Sequence, residues 1–344
     1  MNSSSPVFAH QSRLAKKLAK NFDQTFVLTA DGEFGQPEPS PRAFRLESLC
    51  WKPNQTIKNS IKLCIKTFEI VLKYRPNYVF YHMTDVQAAI VSPIFHFLGV
   101  RQVLWYAHTS NSIWLKIAEK FVDKVVTSTP GSYPHYNDDI ECVGQAVDLE
   151  QFTFTHRLAS NCLKAVHVGR LDKSKNIEEL ILWAIDAINE KKIVSLTLIG
   201  EPTHENLDYW QLLQSRYVDL FRSESIIWLG AIAHNELPKR LQEYSIFVHA
   251  YRGSLDKAVL EATSLGLSVL TINTEFISQF GRWGEGELNL KNELDGYLKH
   301  FDLEIKEVNL NRLKNIQVFH SDHNWSKRIA KIILQKNSIK SSLR

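Results

Sequence analysis

The sequence predicts an α/β protein of two units, each a parallel sheet covered by helices on both faces. Three observations carry this. The chain has 344 residues, more than one typical domain holds. Short β-rich runs alternate with stretches of helical period along nearly all of it, the pattern of parallel strands joined by crossover helices. The alternation lapses once, over Gly144–Arg157, where hydrophobic period fades and a linker is expected, and then restarts. The predicted units are residues 1–148 and 158–318, with a terminal amphipathic helix near 320–336 packing back on the first.

Taken in order, the first unit opens with a helix, Val7–Lys20, whose apolar side carries Leu14, Leu18 and Phe22. Strands follow at Phe26–Ala30 and Phe44–Trp51, around a Gly- and Pro-rich loop, Asp31–Pro41. Ile57–Tyr74 has helical period and length. Strands at Tyr78–Met83 and Gln102–Ala107 flank a helix, Val86–Phe97, which stops near Gly99. A helix at Ile113–Phe121 and strands at Lys124–Ser128 and Ile140–Val143 complete the unit. In the second unit, strands Ala165–Val168, Leu196–Ile199, Ile226–Leu229 and Ile246–Ala250 alternate with helices Ile177–Ile188, Glu205–Arg222 and Glu236–Gln242. The stretch His249–Leu270 then reads as a strand end, a Gly loop, a helix Leu255–Leu265 capped by Ser254 and stopped by Gly266, and a buried strand. Leu294–Phe301, Asn309–Ile316 and Trp325–Leu334 read as helices.

Composition narrows the class. Hydrophobic residues make up 44% and charged residues 23%, as in soluble globular proteins. No apolar run is long enough to span a bilayer, and the N-terminal residues lack the apolar core of a signal peptide. Cys50, Cys64, Cys142 and Cys162 show no metal-ligand spacing, which suggests a reducing, cytoplasmic location. The net charge of +4 is uneven: residues 1–75 carry +6 and the remainder −2. Arg13, Lys16, Lys17 and Lys20 share one helical face, and Lys58, Lys62 and Lys66 form a row at four-residue spacing. Two readings stay open, ordinary solvated helix faces or attraction to an anionic membrane surface or acceptor. A nucleic acid partner is disfavoured, because no exposed aromatics interleave the row and no nucleic-acid motif is present.

Chemistry is expected at strand ends, since open α/β sheets bind ligands beyond the carboxyl ends of their strands. In the first unit these ends hold His82, Met83 and His108. In the second they hold Gly169-Arg170 with Lys175 just beyond, Gly200, Gly230 to Ile232, and the Gly253-Ser254 loop. A Gly loop entering a helix N-terminus favours an anion through backbone N–H groups and the helix dipole. Arg170 and Lys175 would supply cations beside it, although each alone also reads as a surface charge. Glu261 lies past the first helical turn; facing inward it needs a polar partner, and otherwise it is an exposed helix glutamate. No Asp-x-Asp cluster is present, so no metal or resident cofactor is expected. No G-x-G-x-x-G follows a strand, which disfavours an NAD-type dehydrogenase.

These motifs resemble the retaining nucleotide-sugar-dependent glycosyltransferases of the GT-B type, two Rossmann-like domains facing a cleft, within the large family 4. Val168-Gly169-Arg170-Leu171 followed by Lys175-Asn176 is similar to that family's diphosphate-binding signature. Leu196–Gly200 resembles its central strand and glycine. Leu229-Gly230-Ala231-Ile232 falls where the family holds the base, and Val143–Asp148 with Phe152 resembles its interdomain segment. Trp325 resembles the tryptophan of the last helix, which often crosses back to the first domain.

The resemblance implies transfer of a hexose-type sugar from a UDP- or GDP-sugar to a glycan or lipid-linked acceptor, with retention. It implies Arg170 and Lys175 on the departing diphosphate, Glu261 on the ribose, Ile232 at the base, and His108, with His82, on the acceptor side. Backbone groups of Gly253, Ser254 and Leu255 would meet sugar and phosphate. Asp256 reads either as a further polar contact or as a first-turn acid favoured by the helix dipole. Two departures stand out. The family's hallmark has two glutamates, and Gly253 occupies the place of the first. The first unit is also expected to lack the family's opening strand and Gly-rich turn, unless the true start of the chain lies upstream. They motivate the alternative of a catalytically degenerate nucleotide-sugar-binding protein acting as partner or regulator.

Overall fold

The structure, a computed structural model, describes residues 9–30, 43–52, 54–155 and 163–335. The expected Gly/Pro loop, the start of the first helix, Arg157 and Cys162 lie outside the described residues. The chain divides into two compact units, one of residues 1–146 with 322–344 and the other of residues 147–321.

The first unit starts, among the described residues, with helix α1 (Ala9–Ala19) and strands β1 (Gln24–Thr29) and β2 (Ala43–Ser48), a parallel pair in which Phe26 faces Arg45. Helix α2 (Thr56–Tyr74) leads to a parallel sheet in sequential order, β3 (Tyr78–His82), β4 (Arg101–Trp105), β5 (Lys124–Thr127) and β6 (Glu141–Cys142). Helices α3 (Asp85–Phe97) and α4 (Ile113–Phe121) make the crossovers. Strand β4 shows why the sheet is covered on both faces. Gln102, Val103, Leu104 and Trp105 are consecutive and all buried, the run expected of a two-sided strand. Leu104 packs with Ala88, Phe95 and Leu115 on one face. Val103 and Trp105 pack with Leu14, Trp325 and Ile329 on the other. Trp325 comes from helix α13 (Asp322–Leu334), which belongs to this unit. Its attachments are specific: Arg328 donates to Val143 O at 2.8 Å, Arg101 to Ile332 O at 3.0 Å, and Lys17 pairs with Asp322 at 2.6 Å.

The second unit is one five-stranded parallel sheet, ordered β11-β10-β7-β8-β9. Its strands are β7 (Lys164–Val168), β8 (Ser195–Ile199), β9 (Ile226–Trp228), β10 (Ile246–His249) and β11 (Ser268–Thr271). The chain steps outward from β7 to β9, crosses back to β10 and steps outward the other way. The order therefore reverses between β7 and β10, and loops leaving those two strands diverge to opposite faces. A crevice is left at their carboxyl ends. Helix α5 (Ile177–Asn189) covers one face with Leu180, Ile181 and Ala184. Helix α9 (Lys257–Ser264) covers the other with Val259, Leu260 and Ala262.

Some expected elements change. Glu205–Arg222 is not one helix. A 3₁₀ turn, α6 (Leu207–Arg216) and α7 (Val218–Arg222) replace it, with a break at Tyr217, whose hydroxyl reaches Glu178 at 3.1 Å. Glu236–Gln242 shortens to α8 (Leu237–Arg240) and a 3₁₀ turn, and α10 (Thr274–Phe280), not foreseen, follows β11. The two helices beyond it run as α11 (Leu290–Tyr297) and α12 (Asp302–Asn315), and α9 begins two residues later than Leu255.

Because Trp325 is 1% exposed and fills the core between α13 and β4, Trp325→Ala should destabilise the first unit by about 3–5 kcal/mol. Calorimetry should show the transition of that unit falling by roughly 10 °C; an unchanged transition would mean that α13 is dispensable to it.

Candidate functional site

The carboxyl edge of the second sheet is drawn tight by glycines. Gly169 N donates to Ile199 O at 3.0 Å and Gly200 N to Gly230 O at 2.8 Å, so the ends of β7, β8 and β9 are laced together. Gly200 sits at φ +137, and a Cβ there would lie 1.9 Å from Gly169 O. Only glycine fits that approach.

Lys175 and Asp256 meet at the crevice. Lys175 ends a 3₁₀ turn, Lys173–Lys175, that follows β7. Asn176, with left-handed φ +53, then turns the chain into α5 and donates its side-chain amide to Ala250 O at 2.8 Å, tying this turn to the end of β10. Lys175 is buried; its ammonium pairs with the Asp256 carboxylate and lies 3.7 Å from the centre of the Tyr251 ring. His249 Nε2 approaches the same carboxylate at 3.5 Å, and His249 Nδ1 pairs with Thr271 Oγ1 at 3.0 Å. Burial alone would raise the Asp256 pKa, but the Lys175 ammonium and the His249 imidazole hold it far below the ordinary carboxylate value. Burial pushes His249 down in turn. A buried ion pair broken at one partner leaves an uncompensated charge, so each of these side chains fixes the other.

The loop between β10 and α9 is held by one residue. Asn273 is fully buried. Its amide donates to Tyr251 O at 3.0 Å and Gly253 O at 2.9 Å, and its carbonyl oxygen caps α10 through Phe276 N at 2.9 Å. This explains the shortened helix. The carbonyls of Tyr251 and Gly253 serve the clamp, Ser254 and Leu255 stay in the loop, and the N-cap is Asp256 rather than Ser254. The Asp256 carboxylate makes no cap hydrogen bond because Lys175 engages it.

Arg170 lies apart from this pair. Its guanidinium is 57% exposed and touches Asp172 Oδ2 at 3.2 Å. Asp172 is buried and fixed by the backbone N–H and hydroxyl of Thr203, both at 3.0 Å. Arg170 therefore offers an exposed cationic head on an anchored base.

Glu261 faces inward. It is 7% exposed, accepts from His234 Nε2 at 2.9 Å and lies 3.7 Å from Lys257 Nζ. His234 is positioned by Gln151, which donates to His234 O at 2.6 Å, and by the Phe152 ring at 5.1 Å. Ile232 is partly buried against the core on the α9 face.

In the first unit, His82 and His108 stand in different settings. The His82 ring stacks on Trp105 with centroids 4.5 Å apart and meets the edge of Trp325 at 6.0 Å. Met83, at φ +56, accepts from Ala107 N through its sulfur at 3.0 Å. His108 is exposed, and its Nδ1 accepts from Ser110 N at 2.9 Å. His82 is thus built into aromatic packing, while His108 presents its ring to solvent. Among the described residues no group of three or more His, Cys, Asp or Glu could hold a metal ion.

Sequence reasoning missed His234, His249, Tyr251 and Asn273. Asn273 was within reach, since it lies two residues past the end of β11, where ligands are expected. His249 ends β10. His234 carries no local signal, because its partner Glu261 is 27 residues away.

Comparison with known proteins bears on the fold and on the family of the second unit. Residues 150–295 match the family described as glycosyl transferases group 1. No curated protein matches the chain by sequence. Sucrose-phosphate synthase from Thermosynechococcus elongatus superposes with a TM-score of 0.74 at 13% identity, over 94% of this chain and 92% of that one. Anabaena HepE, solved with UDP and glucose, gives 0.73 at 13% identity over 96% and 97%. A glycosyltransferase from Rickettsia africae gives 0.69 at 13% identity over 98% of each chain. The fold is that of the GT-B glycosyltransferases, and the resemblance read from the motifs is borne out.

His167, on β7 beneath this edge, gives a pH-dependent expectation. It is buried, with Nδ1 3.0 Å from Val248 O and Nε2 without a hydrogen-bond partner. Burial, with His249 nearby, lowers its pKa to about 4. The folded unit therefore favours neutral imidazole, and the stability this gives is present above the unfolded value near 6.5 and lost as pH falls towards 4. Melting between pH 7 and 4 should show a loss of about 3 kcal/mol from this residue, and His167→Asn should flatten that part of the curve. An equally steep curve in the variant would assign the loss elsewhere.

Proposed function

Taking residues 150–295 as group 1 glycosyl transferase sequence, we propose that this protein moves a hexose-type sugar from a UDP- or GDP-sugar to a glycan or lipid-linked acceptor, with retention of anomeric configuration. The observation that carries this reading is the Lys175–Asp256 pair, a buried lysine on a half-buried carboxylate, at the switch point beside the glycine loop that enters α9. In support, Anabaena HepE was solved with UDP and glucose.

In this reading the donor diphosphate lies at the carboxyl edge of the second sheet, against Arg170, Lys175 and the Gly253–Leu255 loop. Asp256 aims the Lys175 ammonium, which keeps N–H donors for phosphate oxygens. The exposed Arg170 head supplies a second cation, with its planar fork suited to phosphate. Both act where charge grows as the sugar–phosphate bond breaks through an oxocarbenium-like transition state. These two fixed cations neutralise the leaving group, and no metal is called for. Glu261, with His234 on one oxygen, accepts from ribose hydroxyls, and Ile232 lies against the base. His108 serves the acceptor side from its exposed loop, with His82 giving the first unit a packed support.

One observation favours the degenerate alternative. Gly253 stands where the family carries a glutamate, and a Cβ at 253 would lie 2.2 Å from the Tyr251 hydroxyl. Tyr251 thus fills the space that a side chain there would need. Purified protein incubated with UDP- and GDP-sugars, with and without lipid or glycan acceptors, decides between the two. Nucleotide release that rises with an acceptor supports transfer; nucleotide binding without any turnover supports the alternative.

Arg170→Ala should lower kcat/KM by about 100-fold or more with a smaller loss of stability than Lys175→Ala, because its head is exposed and Asp172 keeps its two bonds from Thr203. Lys175→Ala should abolish turnover and also destabilise the unit by about 1–3 kcal/mol, because it leaves the half-buried Asp256 carboxylate with only His249 beside it. Full activity in both variants would show that the diphosphate does not bind there.

A further inference from the structure

Helix α2 carries an apolar stripe on the side away from its buried face. Its inward face buries Asn59, Leu63, Thr67 and Ile70, of which two are polar. Its outward face shows Ile57, Ile61, Ile65, Phe68 and Leu72, each between 51% and 78% exposed. At 100° per residue these five fall in one arc of about 80°, a continuous apolar stripe running roughly 22 Å along the helix. The adjoining arc carries Lys58, Lys62, Lys66 and Lys73, with Glu69 the one acid among them. Lys66 is engaged by Glu47 at 2.6 Å and Glu69 at 2.8 Å. Packing of the unit does not account for five large apolar side chains in water, and single exposed residues are common where such a row is not.

From this we infer that α2 is a membrane-docking surface, which lies in the plane of an anionic lipid bilayer with its isoleucine–phenylalanine stripe in the acyl boundary and its lysine row on the headgroups. The chemistry is that of an interfacial amphipathic helix: an apolar stripe, a basic flank and low overall hydrophobicity. The flank decides the lipid. Lys58, Lys62 and Lys73 add attraction to phosphate-rich headgroups, and residues 1–75 carry a +6 excess that strengthens it. No helix of the described residues is long and apolar enough to cross a membrane, which leaves a mode in the surface plane.

A second copy of the chain fits the face less well. One helix stripe buries far less than the roughly 800 Å² per partner of a stable interface. An antiparallel pairing about a two-fold axis would also bring both lysine rows to the same side.

Membrane docking deepens the proposed transfer by stating where a lipid-linked acceptor is met, and it rests on that reading only for this purpose. Vesicle binding is therefore measured without nucleotide, so that the two can fail separately. The full-length protein is sedimented with large unilamellar vesicles of phosphatidylcholine alone, or of phosphatidylcholine with an equal part of phosphatidylglycerol. Binding is expected to the anionic vesicles only, and to weaken as salt is raised. The double variant Ile65→Ser, Phe68→Ser should lower the partition coefficient roughly tenfold. Lys58→Gln with Lys62→Gln should lower it comparably and flatten its salt dependence. All four residues are exposed, so melting temperatures should be unchanged. In Ile61→Trp the new fluorophore should shift to the blue on anionic vesicles. The inference is overturned if wild type stays in the supernatant, if it binds neutral vesicles equally, or if both double variants bind as wild type does. It is also overturned if sedimentation velocity finds a dimer that Ile65→Ser, Phe68→Ser dissociates, which would assign the stripe to a second copy.

Discussion

The second unit depends on one buried charge pair. Lys175 and Asp256 come from loops that leave neighbouring strands on opposite sides of the sheet, and the buried lysine is neutralised by the half-buried carboxylate. What surrounds them follows from keeping them in place. Asn176 ties the lysine turn to Ala250, His249 backs the carboxylate from below, and Asn273 holds the intervening loop by its carbonyls. The helix start at Asp256 is a consequence, because carbonyls bonded to Asn273 are taken up by the loop. The charge is therefore positioned before any ligand arrives, and a site that needs no rearrangement loses none of its binding energy to ordering.

Glu261 and Arg170 illustrate two other ways of holding an ion at the same edge. Glu261 is buried but shared among His234 and Lys257, so its second oxygen is oriented by a fixed first one. Arg170 keeps its head in solvent and anchors its base on Asp172, which two groups of Thr203 immobilise. In the proposed reading, a half-buried pair, a buried shared carboxylate and an anchored exposed cation would together serve a phosphorylated, hydroxyl-bearing ligand.

The sequence made the alternation of strands and helices legible, because periodicity is a local property. Most strands of the second sheet lie within a residue or two of their expected bounds. Strand order was not legible, since nothing in β7 or β10 says that the chain crosses back between them, and the crevice exists only because of that crossing. The break at Tyr217 was hidden for the same reason, its hydroxyl being drawn to Glu178 from another element. Motif reasoning reached Arg170, Lys175, Asp256 and Glu261 as residues but not what holds them: His234 reaches Glu261 across 27 residues of chain, and Asn273 holds the Gly253 loop across about 20. The lysine row of α2 was visible as spacing. That the isoleucines beside it point outward could be known only once the buried face was seen to hold Asn59 and Thr67.

The central claim is that the charges converging on the β7–β10 switch point form a nucleoside diphosphate site. Its most direct test is a crystal structure of the protein soaked with UDP and, separately, GDP. The expected result is a diphosphate within hydrogen-bonding distance of Lys175 and the Gly253–Leu255 backbone, with ribose hydroxyls on Glu261 and the Lys175–Asp256 contact retained. A nucleotide bound elsewhere, or a diphosphate that displaces Asp256 from Lys175, would contradict it.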